Sequence, residues 1–207
     1  MGLLDRRMTF LGRIAGDAAY WRVAIGVAAV SLVFAFLGDE GREGLKYDRL
    51  EIADGDWWRL VTGHFVHLGT THLVLNLAGL VLVWLLVGRY FSAARWLAVL
   101  VIALAVTTAA FWFIDRNLLW YVGLSGVLHG LLVAGAIEGF RVLPSESAII
   151  AIIVFAKLAW EQFAGPVPGS ESVSGGDVVV NAHLFGAIGG VIAAAVIPRS
   201  ATEQRSI

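Results

Sequence analysis

Six apolar blocks, each about as long as a bilayer is thick, leave this chain little choice of solvent. They run from about Tyr20 to Leu37, Thr71 to Phe91, Trp96 to Ile114, Trp120 to Gly139, Ala148 to Phe163 and Val178 to Ile197. A hydrocarbon core about 30 Å thick asks for roughly 20 mostly apolar residues per helix. In lipid a backbone must satisfy its own polar groups, which a helix does within one segment. The blocks predict an all-α membrane protein, a bundle of six transmembrane helices. Composition agrees, with 58% hydrophobic and 15% charged residues, where soluble domains carry about 45–50% and about 25%.

Arg6, Arg7 and Arg13 before the first block suggest a signal peptide, but no A-x-A-like site follows it. The chain reads Ala35-Phe36-Leu37-Gly38-Asp39, which predicts a retained helix. With the N-terminus inside, the cytoplasmic side receives Arg6, Arg7, Arg13, Arg22, Arg89, Arg95, Arg141, Arg199 and Arg205. The outer side receives Arg42, Lys46, Arg49, Arg59 and Arg116, diluted by seven acids between Asp39 and Asp56. Positive residues favour the inside, so both termini are expected in the cytoplasm. The division is then a cytoplasmic segment 1–19, a membrane domain 20–198 and a cytoplasmic tail 199–207. Residues 38–59 read as a polar loop ending in Asp56-Trp57-Trp58-Arg59. Residues 164–177, rich in Gly, Pro and Ser, read as a mobile outer segment. A net charge of −1 without a basic tract argues against nucleic acid, and the absence of Cys excludes disulfides and thiolate-bound metal.

Polar side chains inside a membrane helix are costly and point to function. The fourth block carries Gly123-Leu124-Ser125-Gly126 and then His129, with Ser125 and His129 on one helical face. Gly126 and Gly130 form a small-xxx-small pair that admits a close neighbour; packing alone would also explain a serine among glycines. The sixth block carries His183, Gly186 and Gly190 on one stripe. If the two glycine faces meet, His183 comes within reach of Ser125, as a base activating a hydroxyl requires. His72 and Asn76 share a face of the second block, with Thr70 or Thr71 as N-cap. They suit either donors to a developing oxyanion or a polar clamp between helices. No acid reads as a third catalytic member, since Asp115, Glu138 and Glu161 lie near helix ends and Asp177 precedes the sixth helix. The expectation is a Ser–His dyad. The five histidines (His64, His67, His72, His129, His183) include no HExxH-type spacing, so no metal and no cofactor are expected.

These motifs together resemble the rhomboid family of intramembrane serine proteases. Gly123-Leu124-Ser125-Gly126 resembles the family's G-x-S-G nucleophile motif, and Ala182-His183-Leu184-Phe185-Gly186 its A-H-x-x-G base motif. His67, His72 and Asn76 match its second-helix pattern, and Trp58-Arg59 the pair in its first loop. The resemblance implies Ser125 as nucleophile, His183 as base, and His72, Asn76 and the Ser125 amide as the oxyanion hole. His67, Gly123, Gly126, His129, Gly186, Gly190, Trp58 and Arg59 are supporting residues. Bacterial members commonly carry a Tyr four residues after the nucleophile, stacked on the catalytic His, where this chain has His129. The run Gly123 to Gly130 resembles the rhombosortase branch, which implies substrates with a C-terminal Gly-Gly-type motif, a hydrophobic helix and a basic end. The resemblance further implies a bacterial inner membrane location, with the active site opening to the periplasm. The fifth helix and the 164–177 segment would form the gate. The alternatives are a general rhomboid protease of other single-pass proteins, a non-proteolytic client-binding relative, or a small transporter with its histidines along a polar path.

Overall fold

The structure, a computed structural model, describes residues 18–198. The expected cytoplasmic ends, with Arg6, Arg7, Arg13, Arg199 and Arg205, lie outside the described residues. Ten α-helices follow in order: α1 Trp21–Phe36, α2 Gly38–Leu45, α3 Arg49–Ala53, α4 Arg59–Thr62, α5 Thr70–Val87, α6 Ala93–Phe113, α7 Ser125–Gly139, α8 Pro144–Ala164, α9 Ser170–Ser174 and α10 Val180–Val196. Two short strands, β1 Tyr47–Asp48 and β2 Trp120–Tyr121, pair antiparallel.

Among the described residues three helices are long and apolar enough to cross a bilayer, namely α5 with its 3-10 extension to Tyr90, α6 and α8, and the bent pair α1 and α2 makes a fourth if it forms one span. The first block forms α1 and stops, where its apolar run ends, at a 118° bend into α2. Gly38 takes the bend at φ +66°. The helices of the fourth and sixth blocks, α7 and α10, have 15 and 17 residues, about 22 and 25 Å at the α-helical rise. Helix α7 starts at Ser125 rather than Trp120 because Trp120 and Tyr121 are drawn into the strand pair with Tyr47 and Asp48. Its first turn is thereby set back into the bundle.

The predicted polar loop 38–59 is a folded cap made of α2, β1, α3 and the approach to α4. Arginines hold it by filling helix C-termini, where carbonyls lack intrahelical partners. Arg49 donates to the carbonyls of Trp112, Asp115 and Leu118 at 3.2, 3.0 and 3.0 Å, and to that of Phe111, at the end of α6. Arg59 is buried, donates to the Glu43 carbonyl at 2.7 Å, and pairs with Asp56 at 2.9 Å. The 164–177 segment likewise contains a helix, α9, set between glycines of positive φ at 169 and 175.

One core lies between α5, α6 and α7, around Trp84, Trp96, Val99, Val127 and Leu131. A smaller one joins Tyr47, Phe111, Tyr121, Ala182 and Phe185 beneath the cap. Large apolar side chains such as Ile25, Leu82, Ile152 and Phe155 face outward at 56–74% exposure. In water such surface would drive aggregation; in lipid it is the contact surface.

Candidate active site

The seam between α7 and α10 is built from missing side chains. A Cβ on Gly126 would lie 2.7 Å from the Ala182 carbonyl oxygen, and one on Gly130 2.6 Å from that of Gly186. A Cβ on Gly186 or Gly190 would overlap the carbonyl of Gly126 or Gly130. The two glycine stripes therefore meet backbone to backbone, as their spacing anticipates. Their meeting brings His183 Nε2 to 2.9 Å from Ser125 Oγ.

Ser125 is the first residue of α7, and the turn before it is fixed from three sides. Gly123 has φ +120°, a region an L side chain rarely adopts. A Cβ there would also stand 2.8 Å from the His72 ring. Its N–H donates to Gly63 and its carbonyl accepts from the Tyr121 hydroxyl. Tyr121 in turn lies against His64 and Phe111. Buried His64 donates from Nε2 to the Thr108 hydroxyl at 2.8 Å, which donates to the Leu60 carbonyl. Burial pushes His64 down to about 4, so this imidazole is a neutral strut.

His72 accepts the Leu68 N–H at Nδ1, 3.3 Å. Its proton then sits on Nε2, beside Gly123, two residues before Ser125. Asn76 donates one amide hydrogen to the His72 carbonyl, 3.0 Å, and retains the other. Both residues line a cavity of about 960 Å³ together with Ser125 and His183. The helix α5 that carries them starts at Thr70 with Gly69 as N-cap and no side-chain cap; the expected threonine cap is not formed. His67 packs edge-on against His72, ring centroids 5.1 Å apart. Burial and the neighbouring His72 push His67 down to about 3. Trp58 is half exposed and donates to the Gly44 carbonyl, so with Arg59 it holds the cap and not the reacting groups.

His129 takes the stacking place. Its ring lies 4.4 Å from that of His183 at 22° between planes. Nδ1 stands 2.7 Å from the Ser125 carbonyl oxygen and donates to it, which fixes the ring along its own helix.

Of the four acids weighed from sequence, Asp115 accepts from Asn181. Glu138 lies near Arg95 at the other end of α7, and Asp177 is exposed on the cavity rim. Glu161 is the exception: buried at 3% exposure, it sets both carboxylate oxygens 2.9 and 3.0 Å from His183 Nδ1. Lys157, one turn earlier on α8, reaches Glu161 at 2.7 Å. Glu161 therefore meets His183, which the sequence reading left without an acid partner. The Lys157/Glu161 pair at i,i+4 was the signal available; its place near a helix end concealed it. His129, Glu161 and His183 also hold metal-ligand atoms within 4.8 Å of one another. The Lys157 ammonium already balances that carboxylate, and the two imidazoles lie face to face rather than converging on a point.

Comparison with known proteins gives one family and two relatives. Residues 54–200 match the Rhomboid domain family. The chain is similar to the putative rhomboid protease YdcA of Bacillus subtilis (strain 168), with 28% identity over 151 residues, 69% of this chain and 68% of that protein. It is also similar to the rhomboid protease GluP of the same organism, 28% identical over 159 residues. That match covers 74% of this chain and 28% of GluP's length.

Proposed function

Because the chain belongs to the rhomboid family of intramembrane serine proteases, we propose that it cleaves membrane-spanning protein substrates with Ser125 as nucleophile and His183 as base. The reading rests on the 2.9 Å separation of Ser125 Oγ and His183 Nε2 at the wall of a cavity. A hydroxyl and an imidazole in hydrogen-bond contact are the minimal machinery for acyl transfer.

His183 Nε2 accepts the Ser125 proton as Oγ attacks the scissile carbonyl. The developing oxyanion is met by His72 Nε2–H, the free amide hydrogen of Asn76 and the Ser125 backbone N–H. The first turn of a helix offers unpaired N–H groups and the positive end of a dipole, which is why the nucleophile sits there. His183 then gives its proton to the leaving amine, and water releases the acyl group by the reverse sequence. The substrate reaches Ser125 along α5 and α8, both of which line the cavity. It must be unwound there, since a helix in lipid keeps its own carbonyls bonded.

In this reading the chain crosses the membrane six times, with both termini in the cytoplasm. The short helices α7 and α10 lie inside the bundle, and the cavity faces the periplasmic side of a bacterial inner membrane. Arg89, Arg95 and Arg141 gather at the end of the bundle away from Ser125, in keeping with that orientation. The run Gly123 to Gly130, with His129 on His183, favours the rhombosortase branch and a substrate with a Gly-Gly-type C-terminal tail. Glycines unwind at low cost, which suits such a site.

The test is cleavage by the purified protein of two substrates, one with a Gly-Gly tail and one ordinary single-pass helix, with products mapped by mass spectrometry. Cutting beside the Gly-Gly motif of the first alone, abolished by Ser125→Ala, is expected. Equal cutting of both would favour a general rhomboid protease. No cutting and no labelling of Ser125 by a fluorophosphonate would leave a client-binding protein.

A further inference from the structure

We propose that Glu161 is the positioning residue for His183, making the site a Ser–His–Glu triad with Lys157 as the cation that steadies the carboxylate. The proposal rests on the protease reading above.

Whether His183 can act as a base depends on which ring nitrogen bears the proton. A base facing Ser125 needs a bare Nε2, so Nδ1 must be protonated. Two carboxylate oxygens 2.9 and 3.0 Å from Nδ1 supply that condition, because an ionised carboxylate only accepts. Lys157 Nζ also comes within 3.2 Å of Nδ1. Were it the donor there, the ring proton would move to Nε2 and His183 could not take a proton from Ser125. Two donors cannot bond each other, so with Nδ1 protonated both Lys157 and His183 donate to one shared acceptor, Glu161. Both carboxylate oxygens converging on Nδ1 favour that arrangement.

The cost of keeping these charges points the same way. A buried carboxylate near the C-terminus of a helix faces the negative end of the dipole and has lost its water. An ion pair with Lys157 alone would have been met by one oxygen, outside the bundle. Instead the side chain is turned in, to 2% exposure, while Lys157 stays one-third exposed. In the reaction the Oγ proton passes to Nε2, Nδ1 keeps its own, and Glu161 remains ionised beside the imidazolium. The proton leaves with the amine, so no charge moves onto the carboxylate. This is the role a buried acid has in soluble serine proteases, where its amide substitution costs about 10⁴ in kcat through the wrong tautomer.

The experiment compares parent, Glu161→Gln, Glu161→Ala and Glu161→Asp in detergent on one transmembrane substrate, with Ser125→Ala as control. Glu161→Gln should keep the parent's melting behaviour and KM within about twofold while kcat falls by about 10²–10⁴. Glu161→Asp should recover at least about tenfold over Glu161→Ala. A Glu161→Gln kcat within about threefold of the parent overturns the proposal, as does a loss that only follows the folded fraction. Should Glu161→Gln not fold, ¹⁵N NMR of the parent decides. With His183 assigned through His183→Gln, an Nδ1-protonated ring supports the proposal and an Nε2-protonated ring overturns it. Parent-like cleavage by Ser125→Ala would instead sink the protease reading itself.

Discussion

The α7–α10 seam and helix α8 solve opposite problems on either side of one imidazole. The seam is glycine against backbone, with no room for a methyl group at four positions. Helix α8 has 17% of its apolar stretch buried, against 39% and 44% for α5 and α6. The seam sets the Ser125–His183 distance, which must not vary. Helix α8 walls the cavity through Lys157 and Glu161 and shows most of its remaining surface to lipid. Close packing and lipid exposure are thus assigned to different helices, and His183 touches both. Its Nε2 is fixed by the seam and its Nδ1 faces a group on the looser helix.

The contrast breaks most completely at the reacting pair. His183→Ala should leave the glycine contacts untouched yet reduce turnover on the order of 10⁶-fold, as loss of the base does in soluble serine proteases. A rate near the parent's, measured on folded protein, would place the base elsewhere. Next comes the seam itself. Gly186→Val puts a branched side chain where even a Cβ overlaps the Gly126 carbonyl, and a backbone cannot yield as a rotamer does. It should lower the melting temperature and reduce cleavage at least about 100-fold, because Ser125 and His183 ride on the two displaced helices. A folded, active Gly186→Val would show that the seam is slack.

Much of the seam was legible in the sequence. Gly126 and Gly130 on one apolar block, and Gly186 and Gly190 on another, each at i,i+4, announce close contact, and a serine and a histidine beside them mark the pair that the contact brings together. The cap and Glu161 were less so, for a common reason. Residues 38–59 are rich in charge and turn formers, which read as loop, yet Arg49 finds the carbonyls of Phe111 and Trp112 at the end of α6, far away in sequence, and Arg59 folds the segment back onto the Glu43 carbonyl. Glu161 lies near the end of a block, where an acid ordinarily meets water. Only the packing of α8 against α7 and α10 turns it inward. The start of α7 was misjudged for a similar reason, since hydropathy cannot register that Trp120 and Tyr121 pair with a strand seventy residues earlier. Long-range partners decide each of these, and one-dimensional patterns do not carry them.

A smaller effect is expected from α5, also on the cavity wall. Asn76→Ala removes one of the proposed donors to the oxyanion and should lower kcat by about 10²–10³ with KM held. A change confined to KM would make Asn76 a substrate contact instead. His72 keeps its own anchor on Leu68 N–H, so the remaining rate should come from it and from the Ser125 amide.

The smallest effect should come from the outer face of α8. Phe155 is 74% exposed and meets lipid rather than protein, so Phe155→Ala removes almost no internal packing. Substitutions away from packed or bonded positions stay within about 0.5 kcal/mol. The melting temperature should therefore hardly move, and turnover should equal or exceed the parent's if substrate passes this helix. The comparison with Gly186→Val is the informative one, because both changes alter one side chain of the same bundle. A clear stability loss from Phe155→Ala would mean that α8 is clamped as firmly as the seam. Access to Ser125 would then have to come through the cap or α9, and the division of labour between the two regions would fail.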